Sequence, residues 1–149
     1  MKKYFLITVL SLLGLQATLH AGGAWLTDFE AAKVQAVAEQ KPLLLDFTGS
    51  DWCPPCMMMN KEVFSKKAFL DFAAANLVLV KLDFPRGKEQ SAELMAQNKA
   101  LAEKYRIVGF PTIMILSPEG DLVERATGYR RGGAEAYVEY IKEALASAR

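Results

Sequence analysis

Cys53 and Cys56 are the only cysteines in this 149-residue chain, and their spacing narrows what they can do. Closing so short a loop constrains the unfolded chain far less than linking distant segments does, so stabilisation is a poor reason for it. Reactivity is the better reason. A thiolate attacks a disulfide sulfur to form a mixed disulfide, and a second thiol nearby then displaces the product and closes an internal disulfide. The run Trp52, Cys53, Pro54, Pro55, Cys56 falls where a strand should hand over to a helix, which puts Cys53 at the helix N-terminus. The positive end of the helix dipole and free backbone N–H groups lower the pKa of a thiol placed there. Cys53 is therefore expected to attack and Cys56, one turn inward, to resolve.

Pro54 and Pro55 each remove a backbone N–H from that first turn while rigidifying it. No histidine lies between the cysteines, so moderate thiolate stabilisation and a reducing pair are expected. The metal alternative is thin. Zinc needs about four ligands, and the only histidine, His20, lies in the N-terminal segment; no metal site is assigned. Copper(I) suits the soft sulfurs of Met57, Met58 and Met59, yet three consecutive helical residues point in different directions. A copper(I) chaperone stands as the rival from another functional class. No cofactor is expected.

The elements that must position the cysteines follow from periodicity. Thr27, Asp28 and Glu30 look like a helix start, with Phe29, Val34 and Val37 available for its apolar side and an end near Gln40. Residues 43–47 form a nearly continuous apolar run, as in a central strand covered on both faces. A helix through the three methionines and a second over residues 65–75 lead to another buried strand at 77–82. Residues 86–91 are a polar loop and 91–105 a helix. Strands at 112–116 and 122–126 flank the turn Ser117, Pro118, Glu119, Gly120, and a helix from about Ala134 closes the chain. Alternating strands and helices followed by a hairpin and a helix imply an α/β fold, a central mixed β-sheet flanked by helices on both faces.

Just over half of the residues are apolar and the net charge is +1, falling to about −1 without Lys2 and Lys3. That leaves no electrostatic footprint for nucleic acid. Lys2 and Lys3 precede an apolar run from Tyr4 to about Leu15, then small residues at Ala21, Gly22, Gly23 and Ala24. The pattern predicts a signal peptide over residues 1–23 and one domain over 24–149, periplasmic or secreted after cleavage. An uncleaved anchor is disfavoured because the apolar run falls short of the roughly 20 residues a spanning helix needs.

Four separated segments resemble the thioredoxin superfamily: Leu45, Asp46, Phe47 leading to the cysteine motif; Val80, Lys81, Leu82, Asp83; Val108, Gly109, Phe110, Pro111, Thr112; and Thr127, Gly128, Tyr129. The resemblance implies the thioredoxin fold and a thiol–disulfide oxidoreductase acting on protein disulfides, or as runner-up a disulfide isomerase. It also implies that the Phe110–Pro111 bond is cis, with Gly109, Phe110 and Pro111 gripping substrate together with Trp52, Pro54 and Pro55. Asp46 would manage the Cys56 proton with Lys81 nearby. A charge in a covered strand must in any case be paired or shift its pKa. The stretch between Asp46 and Cys53 is one residue longer than in ordinary thioredoxin, and Thr48 stands where a tryptophan is usual. The run Phe47 to Cys53 is similar instead to exported bacterial thioredoxin-like proteins, among them the C-terminal periplasmic domain of the membrane thiol–disulfide interchange protein. A reducing pair in an oxidising compartment implies a membrane electron donor as partner.

Overall fold

The computed structural model describes residues 24–148; the expected signal peptide, residues 1–23, lies outside them. Five strands form one sheet in the order β1-β3-β2-β4-β5: β1 (Trp25–Leu26), β2 (Leu43–Thr48), β3 (Val78–Asp83), β4 (Thr112–Leu116) and β5 (Leu122–Thr127). β3 runs parallel to both β1 and β2, whereas β4 is antiparallel to β2 and to β5. The helices are α1 (Phe29–Glu39), α2 (Pro54–Met59), α3 (Lys67–Asn76), α4 (Ala92–Lys104) and α5 (Gly133–Ser147).

All six residues of β2 are buried, as its unbroken apolar run predicts for a strand with neighbours on both edges and helices on both faces. Successive side chains alternate between those faces. Leu43, Leu45 and Phe47 pack with Phe29, Ala32 and Ala36 of α1 and Leu101 of α4. Leu44 packs in the opposite layer with Met59, Val63, Phe69, Tyr137 and Ile141, and alternation directs Asp46 and Thr48 to that layer too. It is the layer that contains α2, and hence Cys56.

The helix limits agree with the capping chemistry. Asp28 caps α1, its carboxylate accepting from the Ala31 N–H at 3.0 Å, and Ser91 caps α4 by accepting from the Leu94 N–H at 3.2 Å; each satisfies an amide that the helix leaves unpaired.

Two expectations need correction, and one element was missed. The buried side of α1 is Phe29, Ala32 and Ala36, while Val34 and Val37 are 72% and 51% exposed. Spacings of three and four keep residues on one helical face, and alanine admits close approach to the sheet, so the small residues won over the larger valines. The short β1 was not foreseen, because two residues carry no periodicity; it is fixed by pairing with Leu79 and Val80 and by Trp25 packing on Phe64, ring centroids 5.1 Å apart. Finally, the helix after the cysteines passes at Asn60–Phe64 into a π-helical turn, and α3 begins at Lys67, two residues later than expected.

Candidate active site

Cys53 is the N-cap of α2, with extended backbone (φ −98°, ψ 102°), and Pro54 and Pro55 occupy the first two helical positions. Extended geometry suits a residue before proline, whose ring disfavours the helical region for its predecessor. The Cys53 N–H donates to the Gly49 carbonyl at 3.0 Å and its carbonyl accepts from the Met57 N–H at 3.0 Å. Because neither proline has an N–H, the amide of Cys56 is the one donor left in the first three helical positions. Cys53 and Cys56 are joined as a disulfide, with Cα atoms 5.3 Å apart, and each is 3% exposed. Met59 is buried in the core while Met57 and Met58 lie at the surface, so the methionines do not converge. Among the described residues no group of three or more His, Cys, Asp or Glu could hold a metal ion.

The distant segment around Pro111 comes to the same place. The Phe110–Pro111 bond is cis. The Phe110 ring meets the Trp52 ring edge to face, centroids 5.9 Å apart, and lies 5.1 Å from that of Phe84. The strand after it fastens this segment: the Thr112 hydroxyl donates to the Gly109 carbonyl at 2.7 Å, and the Gly128 N–H donates to the Pro111 carbonyl at 2.8 Å. Trp52, Phe110 and the cysteines thus share one end of the sheet, with Pro54 exposed and Pro55 half-buried beside them.

Asp46 is 4% exposed, and burial pushes its carboxyl up from 3.8 to about 7, with Lys81 opposing the rise and Asp83 adding to it. Its Oδ1 is buried without a hydrogen-bond partner among the described residues. Asp46 and Lys81 are register partners across β2 and β3, which places the lysine beside the acid. The two form no ion pair among the described residues; the ammonium instead stands 5.3 Å from the ring centroid of Trp25.

A set of contacts that sequence reasoning missed holds the longer stretch before Cys53. The Asp51 carboxylate accepts from the Arg86 N–H at 3.0 Å and the Gly87 N–H at 2.7 Å, and those amides hold its pKa below the usual carboxylate range. The Ser50 N–H and hydroxyl donate to Asp83 at 2.9 and 2.6 Å. The Trp52 indole donates to the Phe84 carbonyl at 2.7 Å, and the Arg86 guanidinium lies 3.7 Å above the Trp52 ring. Residues 50–52 are thus stitched to residues 83–87.

Residues 29–144 match the family described as Thioredoxin-like domain. The chain belongs to that family. It is 37% identical over 107 residues to "Disulfide bond reductase DsbH" of Chlamydia pneumoniae, covering 72% of this chain and 64% of that protein. It is 32% identical over 138 residues to "Thiol:disulfide interchange protein DsbD 2" of Pseudomonas aeruginosa, covering 87% of this chain and only 22% of the relative. The chain thus spans less than two thirds of the length of either. A solved structure of "DsbH Oxidoreductase" superimposes with TM-score 0.79 at 32% identity, covering 91% of this chain and 93% of that one. The fold is that of a thioredoxin-like domain, and the names of these relatives describe disulfide reduction and thiol–disulfide interchange.

Proposed function

We propose that this thioredoxin-like protein reduces protein disulfides outside the cytoplasm, with Cys53 as nucleophile and Cys56 as resolving thiol. The Cys53 thiolate attacks one sulfur of a substrate disulfide, forming a mixed disulfide and releasing the other substrate sulfur as a thiolate. The Cys56 thiolate then attacks the Cys53 sulfur, releasing the second substrate thiolate and leaving the Cys53–Cys56 disulfide. Two electrons pass from the pair to the substrate in each cycle. The observation that carries this reading is the placement of Cys53 at the start of α2, one residue from the ring of Trp52 that meets Phe110.

In this proposal the buried Asp46 accepts the Cys56 proton, since a carboxyl near pKa 7 exchanges protons efficiently at neutral pH. Lys81 biases that proton by its charge. Gly109, Phe110 and Pro111, with Trp52, Pro54 and Pro55, line the approach of the substrate backbone. Export rests on the signal-peptide pattern of residues 1–23. A membrane dithiol donor returns the pair to the reduced state.

The deciding experiment is titration of the pair in thiol–disulfide buffers. A potential near roughly −270 mV supports a reductase. A value at or above about −180 mV overturns that direction and favours an isomerase or oxidase. The isomerase reading draws on Met57, Met58 and Val108, which are 43%, 42% and 92% exposed and offer apolar surface to a misfolded chain.

A further inference from the structure

Beyond the cysteines, the wall made by Phe84 continues into a groove of about 300 Å³ between the loop after β3 and the start of α4. Phe84, Pro85 and Met95 supply apolar lining, and Met95 is 52% exposed. Lys88 and Lys99 line it as well, and no carboxylate does. Lys88 reaches the Ser50 hydroxyl at 3.4 Å and its charge helps to lower the pKa of Asp51, and Lys99 meets Glu103 at the limiting distance of 4.0 Å. Arg86, next to the lining residue Pro85, does not line the groove but holds its guanidinium over the Trp52 ring. Glu89 and Glu93 belong to the same stretch of chain but line no part of the groove.

The groove is continuous with the candidate active site. Phe84 packs against Phe110 and accepts the indole hydrogen bond of Trp52 through its carbonyl. Asn98, 1% exposed and lining the groove, donates to the Asp83 carbonyl at 2.9 Å, and the Asp83 carboxylate holds Ser50. A polypeptide whose cysteine reaches Cys53 past Trp52 would therefore run its flanking residues over this surface.

We propose that the groove docks an acidic segment of the disulfide-bearing partner protein, one apolar side chain seated against Phe84 and Met95 and its carboxylates facing Arg86, Lys88 and Lys99. Charge complementarity and continuity support this occupant: two lining lysines with Arg86 over the adjoining Trp52 ring, no lining carboxylate, and an apolar floor joined to the site. Opposite charges across an interface speed encounter and fix register more than they add raw affinity. This inference rests on the proposed reduction of protein disulfides.

The test is binding without chemistry. Fluorescein-labelled peptides with serine in place of cysteine, one flanked by aspartate and leucine and one by asparagine and leucine, are titrated with the protein by anisotropy. The aspartate peptide should bind about 10-fold more tightly at low salt, and the advantage should shrink as salt screens it. Lys88→Glu with Lys99→Glu should abolish the preference. Lys66→Glu with Lys67→Glu, which changes net charge equally on exposed residues elsewhere, should retain it. Equal binding of the two peptides, or equal loss in both double variants, overturns the proposal. Turnover of hydroxyethyl disulfide by the unaltered protein reports separately on the proposed function, because that small neutral disulfide carries no carboxylate and no flanking chain.

Discussion

Asp46 stands opposite Lys81 in the register of β2 and β3 without forming an ion pair with it, so burial rather than the lysine decides its protonation. The native state keeps a proton on Asp46 between about pH 4 and 7, where the unfolded chain has lost it. The contribution of Asp46 to stability of the disulfide form should therefore be greatest below about pH 4 and decline as pH rises to 7, by on the order of 4 kcal/mol. Asp46→Asn should remove most of that decline. Urea unfolding of both proteins across pH 4 to 8 checks it; parallel curves would show that Asp46 ionises without penalty. The same variant should slow release of the mixed disulfide by about 10-fold or more at pH 7 if the carboxyl carries the Cys56 proton.

Separate roles for the two thiols predict different products. Cys56→Ser should accumulate a stable mixed disulfide with an oxidised protein substrate, visible on a non-reducing gel, whereas Cys53→Ser should accumulate none. With only the Cys56 amide left in the first turn, the Cys53 thiol of the reduced protein should titrate well above about 4, the low end reached by strongly activated cysteines. The pH dependence of iodoacetamide alkylation measures it.

Gly49 is a sensitive point of the loop for a steric reason. A Cβ there would lie 2.5 Å from the Trp52 ring, and that ring is already held by its bond to the Phe84 carbonyl and by Arg86 above it. Gly49→Ala should shift the tryptophan fluorescence and lower the rate of protein-disulfide reduction by about 10-fold, since misplacement of positioning groups is costly. Unchanged emission together with an unchanged rate would show that the ring moves freely.

Tyr137 buries its hydroxyl without a partner among the described residues, and that burial, with the nearby charge of Asp46, raises its pKa further. An unpartnered buried hydroxyl costs free energy that phenylalanine avoids. Tyr137→Phe should be neutral or stabilising by about 1 kcal/mol in denaturant titration. A loss of more than about 1 kcal/mol would reveal a hydrogen bond to that oxygen.

The central strands were legible because each is a run of apolar residues wedged between polar or small ones, and the cysteines and Pro111 because their spacing and neighbours are distinctive. The stitching of residues 50–52 to residues 83–87 was not. Asp51 takes backbone amides, and a backbone amide has no signature in the sequence; Arg86 read as one more charge in a polar loop. Nor could the choice of Ala32 and Ala36 over Val34 and Val37 be made from hydrophobicity, since closeness to the sheet rewarded the smaller side chain. The burial of Asp46 follows from its place inside the apolar run of residues 43–47, whereas that of Thr48, one position beyond the run, has no such signal.

The contacts of Asp51 span 35 and 36 positions of sequence, so the ground beneath Cys53 is laid by a segment made well after it. As the chain emerges, the cysteines are present before Arg86 and Gly87 exist to hold the loop between them and β2. A single proteolytic nick among the exposed residues 86–89 would cut the same support in the finished protein and disarm two thiols that the protease never touched.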